Sequence, residues 1–251
     1  MLNISMTNKK ILLNWILTLT WLDSPSSFYF QNPSTAIAEE LIIFHDFIMF
    51  FLIMTSIAVF YTLYSLLTEK RLIAHKHLIH GTNLEIIWTS IPALILITIA
   101  IPSFKLLYLI DEIIDPSITV RAIGRQWYWS YQYSDLEEEI SFDSYALDQE
   151  DLEPGQLRLL NVDNNLVLPA KTHIRVLVTG ADVMHAFAVP SLAVKADACP
   201  GQLNAVSFIM KRTGLFFGVC AELCGPAHYK MPIVIESVSV EDYCNWVISQ
   251  E

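Results

Sequence analysis

Residues 47–67 read FIMFFLIMTSIAVFYTLYSLL, an uncharged run of 21 residues. As an α-helix, a run of that length crosses the roughly 30 Å of hydrocarbon in a bilayer. A second uncharged run, IIWTSIPALILITIAIPSF at 86–104, lies between Glu85 and Lys105. Its Pro92 and Pro102 would kink a soluble helix, but neighbouring helices in a membrane accommodate such residues. Trp88 and Tyr108 suit the two interfaces of this span. Between the runs, residues 68–83 carry Lys70, Arg71 and Lys76 with His75, His77 and His80 against a single Glu69. The positive-inside rule keeps this loop on the cytoplasm-like side and sends both termini to the opposite face. The expectation is a transmembrane helical hairpin over 44–110, with everything after it presented outside.

Composition agrees with a membrane portion: 53% of the residues are hydrophobic and the mean hydropathy is +0.43. The net charge of −11 is unevenly spread, with twenty Asp/Glu against nine Lys/Arg in 111–251 and six of each in 1–110. Nucleic acid needs a basic footprint and is excluded as a partner; an acidic outer part suits a cationic one, with a merely solvated acidic surface as the plainer reading. At the other end, Lys9 and Lys10 precede the apolar stretch 11–22 and the sequence SPSS at 24–27. Residues 1–43 therefore read as a processed leader or as an amphipathic segment at the membrane surface.

From residue 118 the pattern changes to short β-type segments, at 118–124, 127–133, 140–145, 173–179, 203–209 and 216–220. Turn signals at Pro154-Gly155, Asn164-Asn165 and Pro200-Gly201 separate or surround them. Many short strands with such turns predict an all-β Greek-key sandwich over 111–251. Residues 239–249 predict a closing amphipathic helix, with Ser239 as its cap and Glu241 and Asp242 in its first turn.

The chemistry concentrates in CAELCGPAHYKM at 220–231, a C-x3-C-x3-H-x2-M array, with His185 upstream behind an apolar strand. Two thiolates, two imidazoles and a thioether form a soft donor set, which favours copper, whereas zinc seldom recruits methionine. A mononuclear blue-copper site needs one cysteine. The second, at i+4, lets both thiolates bridge two ions that share one electron. A Cys220–Cys224 disulfide, a Cys2His2 zinc site and unrelated core residues are the competing readings. Cys199 and Cys244 read as small buried hydrophobes.

With these stretches the chain resembles the cytochrome c oxidase subunit 2 family. The resemblance runs through EIIWTSIPA at 85–93, QWYW at 126–129, FDSY at 142–145, GQLRLL at 155–160, VPSL at 189–192 and the cysteine loop through Met231-Pro232-Ile233. It covers the chain from about residue 44 onward and implies a two-helix transmembrane hairpin followed by a cupredoxin-like β domain. It further implies a dinuclear copper centre, two Cu ions held by His185, Cys220, Cys224, His228, Met231 and the backbone carbonyl of Glu222. The Glu222 carboxylate would bind magnesium at the interface with the haem-bearing catalytic subunit.

By the same resemblance Trp127 is where electrons arrive from cytochrome c, although a core aromatic is the commoner use of tryptophan. Asp143, Asp163 and Asp182, beside Glu137, Glu138 and Glu139, form the docking surface. Glu85 stands at the mouth of a proton path; a helix-end carboxylate is its bland alternative. The location implied is the mitochondrial inner membrane, with the C-terminal domain in the intermembrane space. Gln202, Val219, Ala186 and Phe187 depart from the family pattern, which bears on the hydrogen bonds around the metal rather than on its ligands. A metal-free structural subunit, a relative of nitrous oxide reductase and a zinc-binding module are the other functional classes. The ligand set, the helical hairpin and the idle methionine respectively weigh against them.

Overall fold

A computed structural model describes residues 29–68, 79–111, 115–135 and 139–250. Residues 1–28 of the N-terminal segment read as a leader or surface segment, the basic residues Lys70, Arg71 and Lys76 of the 68–83 loop, and Glu137 and Glu138 lie outside the described residues.

Two long helices form the first unit. Helix α1 spans Ala36–Thr68 and α2 spans Thr82–Asp111. Both outrun the uncharged runs, because a helix continues through the polar interface once the apolar stretch has set its direction. About two thirds of their residues are exposed and only Ala38 is buried, as suits residues whose solvent is lipid. Pro92 and Pro102 lie inside α2 without ending it. Across the pair, Lys105 Nζ donates to both carboxylate oxygens of Glu40 at 3.1 Å.

The second unit is a sandwich of two five-stranded sheets. The strands are β1 Ile118–Arg125, β2 Tyr128–Tyr133, β3 Ile140–Ser144, β4 Leu166–Pro169, β5 His173–Gly180, β6 His185–Val189, β7 Val194–Ala198, β8 Asn204–Ile209, β9 Gly214–Cys220 and β10 Pro232–Val238. One sheet has the order β3-β2-β1-β5-β8, the other β4-β10-β9-β6-β7. Most neighbours are antiparallel; β1 runs parallel to β5, and β4 parallel to β10.

Alternation decides which residues meet in the middle. In β1 and β5 it turns Val120, Ala122, Ile174, Val176 and Val178 inward, all fully buried. Strand β2 adds Trp129, Tyr131 and Tyr133, which face Phe187, Phe216, Ile233 and Ile235 of the other sheet. Tyr133 satisfies its buried hydroxyl by donating to Val167 O at 2.8 Å, a bond worth about 1 kcal/mol net and more if its acceptor were left alone.

Helix α3, Val240–Gln250, closes the chain. Ser239 Oγ accepts from Asp242 N at 3.1 Å and donates to Asp242 Oδ2 at 2.7 Å, which caps it. Tyr243, Trp246 and Val247 pack against the core. Cys244 does not: it is exposed, correcting the expectation of a buried thiol, because it lies a quarter-turn off that apolar stripe. Cys199 is half-buried.

Candidate metal centre

The centre is built at one end of the sandwich, where strands deliver one half of the donors and a loop the other. His185 opens β6 and is fully buried; Cys220 closes β9, the neighbouring strand. The imidazole fits because residue 124 is glycine: a Cβ there would come within 2.8 Å of the ring. Cys224, His228 and Met231 come from the loop joining β9 to β10, with His228 on a short 3-10 turn. Gly225 has φ +124, a conformation open to glycine, and this folds Cys224 and His228 back toward the strands.

Nitrogen and sulfur atoms of His185, Cys220 and Cys224 lie within 4.8 Å of one another. Cys220 Sγ is 4.0 Å from His185 Nδ1, and Cys224 Sγ is 3.4 Å from both His228 Nδ1 and Met231 Sδ. The Glu222 carbonyl oxygen is 3.3 Å from Cys220 Sγ. All five ligand-type side chains picked out in the sequence, and the one backbone oxygen, therefore converge. Cys220 and Cys224 are free thiols.

The electrostatics ask for a cation. Burial works to raise the Cys220 thiol, but His185, the Ala186 amide, the Glu222 backbone and His228 outweigh it and bring it down to about 7. Burial and the adjacent Cys220 charge push Cys224 up to about 12. One thiolate forms readily and suppresses the other, so two thiolates coexist here only with positive charge between them. With the thioether among the sulfurs, the donor set fits a soft metal such as copper.

Behind the donors lies a hydrogen-bonded frame that the sequence did not disclose. His185 Nε2 donates to Asp182 Oδ1 at 2.8 Å, which fixes the tautomer and leaves Nδ1 directed at the sulfurs. Asp182 also accepts from Val183 N at 2.6 Å and Gln126 N at 2.7 Å. Burial opposes its ionisation, but these three donors hold its carboxyl below the usual range. Gln126 Nε2 at 3.0 Å and Trp127 Nε1 at 3.3 Å both donate to the Cys224 carbonyl. Trp127 is thus a half-buried indole bonded to the ligand loop. The family-type QWYW run pointed to Trp127; nothing in it pointed to Gln126.

The other expected site residues are placed as follows. Asp143 on edge strand β3 accepts from Ser130 Oγ at 2.6 Å, and Asp163 accepts from the amides of Tyr145 and Asn164 at 2.7 Å. Both are exposed, as is Glu139. Glu85 is in the first turn of α2, in the helical unit, and is exposed. Of the departures, Phe187 fills the core edge-on to Trp129 at 5.4 Å, Ala186 is buried beside it, and Val219 and Gln202 are exposed.

Residues 23–106 match the family "Cytochrome C oxidase subunit II, transmembrane domain", and residues 118–238 match "Cytochrome C oxidase subunit II, periplasmic domain". The chain belongs to the cytochrome c oxidase subunit II family. The subunit II match begins at residue 23, upstream of the residue-44 limit drawn from the motifs. Cytochrome c oxidase subunit 2 of Metridium senile is 52% identical over 248 residues, 97% of this chain and 98% of that protein. The Arabidopsis thaliana subunit 2 is 49% identical over 251 residues, 96% of each. The crystal structure of the periplasmic domain of subunit II (CoxB) of Bradyrhizobium japonicum overlays with a TM-score of 0.51 at 46% identity, covering 55% of this chain and 96% of that one.

As a subunit II, the chain is part of a cytochrome c oxidase, a haem–copper oxidase complex of respiratory electron transport. Its helices and the family's membrane domain mark it as an inner-membrane protein. The His185, Cys220 and Cys224 cluster fits the copper site expected of this family.

Proposed function

We propose that this chain is the electron-accepting subunit of the oxidase: it takes electrons from cytochrome c at a dinuclear copper centre and passes them to haem in the catalytic subunit, for oxygen reduction coupled to proton pumping. The observation that carries this reading is the convergence of His185, Cys220 and Cys224 within 4.8 Å, with Met231 and His228 in contact with the second sulfur. Two copper ions held by His185, Cys220, Cys224, His228, Met231 and the Glu222 carbonyl would supply one-electron redox chemistry, with the charge shared across two metals and two sulfurs.

The protein's own groups have separable tasks. Asp182 holds the His185 ring and its tautomer. Trp127, bonded to the carbonyl of a ligand residue, provides a short path from the surface to the site. Glu222 is half-buried, and its carboxylate would hold magnesium at the junction with the catalytic subunit. Asp143, Asp163 and Asp182 keep negative charge at the surface for a lysine-rich cytochrome, and Glu85, in the first turn of α2, stands at the mouth of a proton path into the catalytic subunit. Family membership supports a mitochondrial inner membrane, with the β domain in the intermembrane space.

Copper content and electron paramagnetic resonance on the domain from about residue 116 to 251, refolded with copper, test the reading. Two coppers per chain with hyperfine splitting from both nuclei are expected. Zinc, one copper or no metal would overturn it.

A further inference from the structure

The outer face of strands β2, β1, β5 and β8 has a composition opposite to that of its domain, while edge strand β3 beside them carries the exposed Asp143. Strands β1, β2, β5 and β8 (ITVRAIGR, YWSYQY, HIRVLVTG and NAVSFI) contain three arginines and no carboxylate. They do so in a segment with twenty Asp/Glu against nine Lys/Arg. The register pairs Thr119 with Arg175, Arg121 with Leu177, and Arg121 with Gln132 across β5, β1 and β2. Since their strand neighbours Val120 and Val176 point into the core, all of these point out. Arg121 and Arg175 are thus diagonal neighbours on adjacent strands, within reach of one bound group.

Neither guanidinium has an anionic partner among the described residues. Arg121 Nη1 donates to Gln132 Oε1 at 3.2 Å, and Arg175 Nη2 donates to Thr119 Oγ1 at 3.1 Å. The buried Nε of each has no acceptor. Of the described acidic side chains around this face, Asp135 accepts from Thr119 N and Asp143 from Ser130 Oγ. Lys230 and Lys211, by contrast, are paired with Asp148 and Glu39. Two half-satisfied guanidiniums side by side, with planar donors left over, are suited to bidentate carboxylate recognition.

We propose that this face, centred on Arg121 and Arg175, docks an acidic polypeptide segment of another oxidase subunit. A polypeptide is favoured over an anionic lipid surface by the rest of the face: Leu177 lies opposite Arg121, Ile123 follows two residues along β1, and the outward side chains of these strands include no lysine. That mixture of arginine with aliphatic surface is typical of protein interfaces, whereas polybasic lipid-binding surfaces are commonly lysine-rich. Cytochrome c, taken above as a cationic donor, would be repelled here, so the arginine face and the acidic surface serve different partners.

The test uses the assembled oxidase with Arg121→Lys or Arg175→Lys. Each keeps the charge but adds an amine that carbodiimide joins to a touching carboxylate; the wild-type arginines give no such product. A cross-linked peptide joining position 121 or 175 to an Asp or Glu of another subunit is expected. Cross-links only to this chain's own carboxylates, or none, would overturn the proposal, as would binding of these positions to anionic lipid vesicles in place of a subunit. The double variant Arg121→Glu with Arg175→Glu should lose the cross-linked subunit on purification while its copper signal stays unchanged. Full retention of that subunit at high and low salt would equally overturn it. Copper loading plays no part in the cross-link, so this docking and the electron-transfer reading fail separately.

Discussion

The two halves of the metal centre are made differently. His185 and Cys220 sit on adjacent strands, buried, with Asp182 behind the imidazole. Cys224, His228 and Met231 hang on a loop whose course depends on one positive-φ glycine and on two donors to the Cys224 carbonyl. His228 has no hydrogen bond to its Nε2 among the described residues. The strand half is preformed by the closing of the sandwich and the loop half is held by a few local bonds, so losses on the loop side should leave the strand side able to bind.

Cys224→Ser should have the largest effect, abolishing the shared-electron copper signal while one copper remains on His185 and Cys220. Retention of hyperfine coupling to two nuclei would end the bridging role, and loss of all copper would show that the strand half is no stronger. Asp182→Asn attacks the strand half from behind and should weaken copper binding about 10- to 100-fold, as loss of an outer-shell carboxylate does; competition with a chelator measures it. Gly225→Ala probes the loop half. Its φ of +124 and the 3.2 Å approach of a Cβ to Trp127 should cost the loop about 1–3 kcal/mol, read as faster copper loss to chelator. An unchanged rate would mean that the backbone is not what holds Cys224 in place.

Trp127→Phe removes one donor to the Cys224 carbonyl and leaves Gln126, so copper retention should change by about 1 kcal/mol or less while electron transfer from cytochrome c slows markedly. Equal transfer rates would remove the indole from the path. Asp143→Asn with Asp163→Asn should leave copper untouched and slow cytochrome c oxidation at low salt only. Asp182 is left out of that pair because its neutralisation would also disturb His185.

The same division explains what the sequence could disclose. The donors were legible because four ligand-type residues crowd into 220–231, with one histidine upstream at 185. The frame was not. Asp182 reads as a surface charge until β6 is laid against β1, and Gln126 as one polar residue before three aromatics. Strands β1 and β5, which alternate and are rich in β-branched residues, announced themselves; β7 alternates too, but VKADA lacks that composition and was not among the expected strands. Strands β4 and β6 are buried at every residue, so no period of two marks them. Cys244 was misplaced because a thiol's usual burial says nothing about helix phase, which Tyr243 and Trp246 set.

The Cys224 carbonyl takes its two hydrogen bonds from residues 97 and 98 positions earlier in the chain. Contacts of that span carry a large loop-closure cost. During synthesis the donors of the loop half emerge only after nearly all of the sandwich has been made, and Pro232–Val238 must then pair with its neighbours to seat Met231. On the copper reading proposed above, the loop half would therefore be the last part of the centre to take shape, and the ions would be held only once Met231 is seated beside Cys224.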